Sequence, residues 1–168
     1  MIEIRLLLPG DDRSRFESGN PFLDNYFRRY SGQNQFRHRI GASYVAIEDG
    51  NIRGYLTVST GEIHIDELPQ SQQHRFPRYP IPILRLARLA VGQAHKGKRI
   101  GDALLRYAFE LAERISQEVG CAGLVVDAKP DAVPFYQKYG FVPLTVHDGE
   151  LRNAPVAMFL SIHTIPRG

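Results

Sequence analysis

The stretch AVGQAHKGKRIGDALL, residues 90–105, sets Lys96, Lys98 and Arg99, with Gly97 and Gly101, directly in front of an apolar helical run. A strand that feeds a glycine-bearing turn and then a helix leaves backbone N–H groups pointing outward. The helix dipole adds about half a positive charge at that end. The glycines let a ligand approach the backbone, and the three cations add charge. The chemistry is anion binding, with a pyrophosphate as the natural occupant. The spacing is neither G-x-x-x-x-G-K-[ST] nor G-x-G-x-x-G. An ordinary basic helix start has the same composition, so both readings stand at this level. Groups for proton transfer are sparse. No carboxylate lies on PIPILRLARLAV, residues 80–91, and the candidate bases are His95 and the pair His147–Asp148. None of the six histidines pairs with Cys121 or another histidine at ligand spacing, so no metal is expected.

The elements that must position these residues follow from pattern. IEIRLLL alternates as a first strand and is closed by Pro9-Gly10. GNPFLDNYFRRY predicts a helix with Asn20 as N-cap and Pro21 at its first position. Phe22, Leu23, Tyr26, Phe27 and Tyr30 then share its apolar face. GASYVAIEDGNIRGYLTVSTGEI reads as a hairpin turning at Asp49-Gly50-Asn51. Residues 66–80 form a polar, proline-punctuated loop of functional length. IPILRLARLAV is a central strand interrupted by Arg85 and Arg88. A helix follows, with Leu104, Leu105, Ala108, Leu111, Ala112 and Ile115 at helical spacing. AGLVVDA is a buried strand. DAVPFYQKYG is a short helix carrying Phe135, Tyr136 and Tyr139, with Gly140 placed to end it. FVPLTV and APVAMFLSI close the chain as an antiparallel pair. This order predicts one α/β domain over 1–168, with a mixed sheet.

At 168 residues, 43% hydrophobic and 23% charged, the composition is that of a globular protein. A single cysteine, Cys121, excludes an internal disulfide and fits a reducing compartment. With no secretory signal and no apolar run of bilayer length, a cytoplasmic protein without a membrane partner is expected. Net charge is only +3, yet residues 69–106 carry eight basic side chains against Asp102 alone. Such a segment points to a polyanionic partner or to a solvated face with counter-charges nearby.

RLAVGQAHKGKRIGDALLRYAFELA together with VVDAKPDAVPFYQKYGF resembles the acetyl-CoA site of the GCN5-related N-acetyltransferase superfamily. The family's phosphate loop, R/Q-x-x-G-x-G/A, falls on Lys96, Gly97, Lys98, Arg99, Ile100 and Gly101. Lys96 stands where the family has Arg or Gln, and Arg99 where it has its first Gly. The resemblance implies a mostly antiparallel central sheet, splayed at the acetyl-CoA site, with helices on both faces. It implies that the pyrophosphate of acetyl-CoA is the anion, and that the pantetheine arm pairs with main-chain groups near Leu89 and Val91. Acetyl transfer needs an uncharged amine, an aligned thioester, a stabilised oxyanion and a proton for the departing thiolate. The resemblance assigns that proton to Tyr136 of the F-Y-x-x-x-G-F segment, and the backbone N–H near Val91 is the oxyanion candidate. A phenol with a reference pKa of about 10 holds its proton at neutral pH. On residues alone, Tyr136 is equally a core tyrosine.

FESGNPFLDNYFRRYSGQNQ, the "GY" of the hairpin and LRLARLAV are similar to the acetyltransferase toxins of bacterial toxin–antitoxin pairs. That similarity implies acetylation of the amino group of aminoacyl-tRNA and neutralisation by a ribbon-helix-helix antitoxin. A site lined by arginines and lacking a base suits an α-amine, of pKa about 7.7–8.0, on an anionic carrier better than a polyamine. The tRNA-binding candidates are Arg75, Arg78, Arg85 and Arg88, with Arg28, Arg29, Arg37 and Arg39 as a second group. Aromatic residues left exposed on the first helix would suit a homodimer or antitoxin interface. Two alternatives remain: an acetyltransferase for a protein N-terminus, lysine or small amine, and a catalytically dead acyl-CoA or RNA-binding module.

Overall fold

The computed structural model describes residues 1–144 and 154–166. The strands are β1 (Glu3–Leu6), β2 (Ala42–Glu48), β3 (Asn51–Ile63), β4 (Ile81–Val91), β5 (Gly123–Ala128), β6 (Val142–Pro143) and β7 (Val156–Ser161). They form one seven-stranded sheet in the order β1-β2-β3-β4-β5-β7-β6. The helices are α1 (Pro21–Asn25), α2 (Gln70–Gln73), α3 (Ile100–Glu118) and α4 (Val133–Gln137). The fold is α/β, as expected, and β1–β2, β2–β3, β5–β7 and β6–β7 all pair antiparallel. No helix among the described residues is long and apolar enough to cross a membrane. The chain divides into two compact units, Met1–Ser59 with Leu86–Ala108, and Thr60–Arg85 with Phe109–Gly168.

In the first unit, β2 turns into β3 at Asp49 and Gly50, both with positive φ (53° and 75°), as a two-residue hairpin of this hand requires. Asn20 caps α1 by accepting from the N–H groups of Phe22 (3.0 Å) and Leu23 (3.3 Å). Such a cap stabilises a helix by about 1 kcal/mol. Beyond Asn25 the helix widens into two π stretches, Tyr26–Tyr30 and Gln33–His38, and ends on Arg39 in the left-handed region. The wider turns rotate successive side chains away from an α-helical face. Tyr30, expected on the apolar face, is exposed, as is Phe22 in the first turn ahead of the widened stretches, while Phe27 is fully buried. The buried side of the remaining helix is polar but satisfied. Gln35 donates to the Leu7 carbonyl and accepts from Ser43 N–H, and Ser31 Oγ donates to the Phe27 carbonyl.

Gly54 lets α3 close onto β3: a Cβ there would lie 3.1 Å from both Ile100 Cγ2 and Leu104 Cδ1. Its neighbour Tyr55 stacks on Phe27 at 4.3 Å, and its hydroxyl donates to the Leu23 carbonyl at 2.7 Å. The "GY" pair therefore has two packing jobs. The glycine admits one helix, and the tyrosine fastens another.

In the second unit, Ile63, Leu68, Ile81, Ile83, Val125, Leu144 and Phe159 form a core. The segment 66–80 is not a free loop. It contains α2 and buries Leu68, and Phe76 meets the Phe159 ring edge-on at 6.2 Å. These apolar residues sit singly among polar ones, so no period betrays them. Gly123 is obligatory, since a Cβ would fall 2.3 Å from the Leu160 carbonyl oxygen. Of the closing pair, β6 is only two residues long, and 145–153, including His147 and Asp148, lie outside the described residues.

Candidate active site

The first unit carries the candidate anion-binding turn. Strand β4 ends at Val91, a 3-10 turn spans Gln93–His95, and α3 begins at Ile100. Gly97 (φ 85°) and Arg99 (φ 63°) both adopt the left-handed conformation. That region costs a non-glycine residue about 1–2 kcal/mol. Arg99 thus holds a backbone shape that glycine adopts freely, at the position where the family motif has glycine. Lys96, Gly97, Lys98 and Arg99 are exposed, while Ile100 is buried as the anchor of the helix. The N–H groups of the first turn of α3 have no intrahelical acceptors, as in any α-helix. A nineteen-residue helix, two left-handed residues and three exposed cations together fit a pyrophosphate.

What holds this turn is the motif read as a toxin signature. The buried Asp24 carboxylate accepts from Ser18 N–H (3.0 Å) and Ser18 Oγ (2.6 Å), and Ser18 Oγ in turn accepts from Asn20 N–H. Arg28 donates to the Phe16 carbonyl through Nε and Nη2. The segment so fixed presents the Glu17 carbonyl to Gln93 N–H at 2.8 Å. From the other side, the Arg53 carbonyl accepts from Gly92 N–H at 2.7 Å.

Arg53 Nη1 also donates to His95 Nε2 at 2.8 Å. A guanidinium has no acceptor, so His95 uses its Nε2 lone pair here and carries its hydrogen on Nδ1. Nδ1 is itself buried. His95 is thereby corrected from a candidate base to a structural acceptor.

Arg88 is half-buried on β4, and its guanidinium carbon lies 3.6 Å from the centroid of the Tyr26 ring. This cation–π contact fixes a cation on the strand that lacks a carboxylate. Leu89 and Val91 are half-buried on the same strand. Neither Tyr26 nor Arg53 was marked by the sequence. Tyr26 reads as helix-face packing, and Arg53 meets a partner 42 residues away.

The second unit carries Tyr136, on α4. It is 6% exposed and ringed edge-on by Phe135 at 5.0 Å and Phe141 at 5.4 Å. Burial pushes its phenol up to about 12. The proton is therefore held firmly at neutral pH by desolvation. Gly140 (φ 101°) ends the helix as expected. Arg75 and Arg78 are exposed, whereas Arg85 donates to Asp127 at 3.0 Å. Exposed pairs of this kind are weak and exchangeable.

Residues 39–143 match the acetyltransferase (GNAT) domain family, and the chain belongs to that family. It is an N-acetyltransferase by fold and by sequence. It is 31% identical over 140 residues to a tRNA-acetylating toxin of Mycobacterium tuberculosis, covering 82% of each chain. Among solved structures it is similar to AtaT complexed with acetyl-methionyl-tRNAfMet. That match has a TM-score of 0.85 and 27% identity, and covers 98% of this chain and 96% of the other. It is also similar to AtaTR bound with AcCoA, with a TM-score of 0.79 and 28% identity over 97% and 95% of the two chains.

Proposed function

We propose that this chain transfers an acetyl group from acetyl-CoA to the α-amine of an aminoacyl-tRNA, and so acts as a translation-blocking toxin in the cytoplasm. The observation that carries this reading is its likeness, along most of both chains, to the tRNA-acetylating toxin. The site chemistry agrees with it. Lys96, Gly97, Lys98, Arg99, Ile100 and Gly101 hold the pyrophosphate, and the main chain at Leu89 and Val91 aligns the pantetheine arm, with the Val91 N–H facing the developing oxyanion. When bound, acetyl-CoA supplies an activated thioester.

Tyr136 Oη hydrogen-bonds the departing sulfur. A phenol near 12 is a much weaker acid than a thiol of about 8.5. Tyr136 therefore releases its proton only in concert with carbon–sulfur cleavage, and regains one from the acylated amine. No base is needed for an α-amine of pKa about 7.7–8.0, which is substantially neutral near pH 7.5, whereas a lysine amine near 10.4 is not.

Arg88, held over Tyr26, with Arg28, Arg29, Arg37 and Arg39 in the first unit, and Arg75, Arg78 and Arg85 in the second, each attract the phosphates of the carrier. The exposed Phe22 and Tyr30 offer apolar contact to a second copy of the chain or to a ribbon-helix-helix antitoxin.

The test is thiol release from acetyl-CoA with charged tRNA, uncharged tRNA, a lysine peptide or spermidine, for wild type and Tyr136→Phe. Turnover is expected with charged tRNA alone, suppressed by salt, and reduced about 100-fold or more in the variant. Turnover with peptide or spermidine instead of charged tRNA overturns the substrate. Full activity in Tyr136→Phe overturns the acid.

A further inference from the structure

The 3-10 turn Gln93–His95, immediately before the phosphate loop, is gripped at both ends by one residue. The Arg53 carbonyl takes Gly92 N–H at 2.7 Å, and the Arg53 guanidinium donates to His95 Nε2 at 2.8 Å. Gly92 permits this closeness, since a Cβ there would lie 3.2 Å from the Arg53 oxygen and 3.5 Å from His95 Cδ2. Within the turn, the backbone N–H of His95 bonds back to the Gly92 carbonyl at 2.9 Å, so the residue that carries the ring is itself part of the turn. Lys96 and the left-handed Gly97 follow directly. The orientation of the N–H groups that face the anion is therefore set by where His95 sits.

We propose that Arg53 and His95 are positioning residues for the coenzyme A phosphates, and that the grip exists only while the His95 imidazole is neutral. This rests on the acetyl-CoA reading above. The acceptor in the Arg53–His95 bond is the Nε2 lone pair. Protonating that nitrogen removes the acceptor and sets a second cation against the guanidinium.

A charged His95 that turned to a surrounding carboxylate would still have lost its bond to Arg53, and several of these carboxylates are already engaged. On the hairpin, Glu48 Oε1 lies 3.9 Å from Arg53 Nε, on Arg53 rather than on the imidazole. The N-terminal segment lines the same cavity, of about 700 Å³, with Arg15, Glu17, Asp12 and the Arg5–Asp11 pair. Asp11 is taken up by two bonds from Arg5 at 2.8 Å, and Asp12 by Ser14. On its own loop, His95 is followed by Lys96, another cation. Loss of neutrality at His95 thus loosens the turn, and the phosphate loop with it.

The experiment is titration of coenzyme A into the full chain at pH 8 and pH 5.5 by calorimetry, for wild type, His95→Ala, His95→Gln and Arg53→Ala. At pH 8, His95→Ala and Arg53→Ala are expected to bind about tenfold more weakly, with His95→Gln near wild type because an amide oxygen accepts from Arg53. The phosphates of coenzyme A also titrate in this range, so His95→Gln is the reference. Wild type should lose about tenfold more affinity than His95→Gln on acidification. Equal pH dependence of the two, or unchanged binding in His95→Ala, overturns the inference. Nitrogen-15 spectra of the wild-type imidazole at pH 8 give a second readout that needs no ligand. An Nδ1-protonated ring upholds the grip, and an Nε2-protonated ring overturns it. If wild type binds no coenzyme A at either pH, the acetyl-CoA reading fails, and the spectrum still decides the bond.

Discussion

Two helices in the first unit begin at glycine-bearing turns, and their polar groups are used in opposite ways. At the start of α1, Gly19 is left-handed, Asn20 caps the helix, and the buried Asp24 gathers the N–H and hydroxyl of Ser18. Nearly every donor there is answered within the chain. At the start of α3, Gly97 and Arg99 are left-handed, the cations are exposed, and the N–H groups of the first turn have no intrahelical acceptors. The first turn is closed and structural, while the second is open and is the one proposed to receive the coenzyme A phosphates. The closed turn also supports the open one, through the bond from Gln93 N–H to the Glu17 carbonyl. A stretch that reads as a signature of function can therefore be scaffold.

Substitutions at the two turns should separate stability from binding, and the largest effect belongs to the closed one. Asp24→Ala leaves the buried Ser18 donors unanswered. It should cost about 2–3 kcal/mol, a melting temperature lower by on the order of 5–10 °C, with a smaller loss of coenzyme A affinity than loop substitutions cause, because the Glu17–Gln93 support is loosened only indirectly. An Asp24→Ala protein as stable as wild type would break the comparison. Next, Lys96→Ala with Lys98→Ala should leave stability within about 0.5 kcal/mol and weaken coenzyme A binding about tenfold at low salt. Titration in low and high salt reads this directly, since the deficit must shrink as salt rises.

Smaller still, Arg99→Gly should raise stability by roughly 0.5–1 kcal/mol by relieving the left-handed strain, visible as a melting point higher by a few degrees. A loss of stability would mean that the Arg99–Asp102 contact at 3.7 Å outweighs that strain. The smallest effect is at the part-exposed Arg5–Asp11 pair, where the hydrogen bond from Arg5 lowers the Asp11 pKa. A lowered carboxyl contributes stability above its unfolded value of about 3.9 and loses it as pH falls through the lower native value. Asp11→Asn should therefore be less stable by under about 1 kcal/mol at neutral pH. Denaturant curves for the two proteins should converge on acidification.

Local chemistry was legible in the sequence, and contact across the chain was not. The Asn20 cap, Pro21, the Asp49-Gly50 turn, the bounds of β4 and the end of α4 at Gly140 all follow from residue type and spacing. Tyr136 and the 96–101 loop were reached through a family motif joined to a helix-start argument. The π stretches were invisible, because YFRRYSGQNQFRH fits α-helical spacing as well, and its buried members Ser31 and Gln35 are polar. Residues 66–80 looked like solvent-facing loop because Leu68 and Phe76 carry no period. The Arg53–His95 bond spans 42 residues and leaves no local pattern.

The widened turns after Asn25 have a consequence for register. A π turn carries about one residue more than an α turn for a similar advance along the axis. Removing a single residue from one of these stretches would let that π turn close to an ordinary α turn, and the side chains beyond it would keep nearly their present facing. Gln35 would then still reach the Leu7 carbonyl and the Ser43 N–H that it now joins. A deletion within an α-helical turn has no extra residue to draw on, and everything beyond it would rotate by about 100°. The π stretches are thus spare length in this helix: a one-residue deletion there should be absorbed, as should exchanges at exposed positions such as Arg29, Gln33 and Arg37.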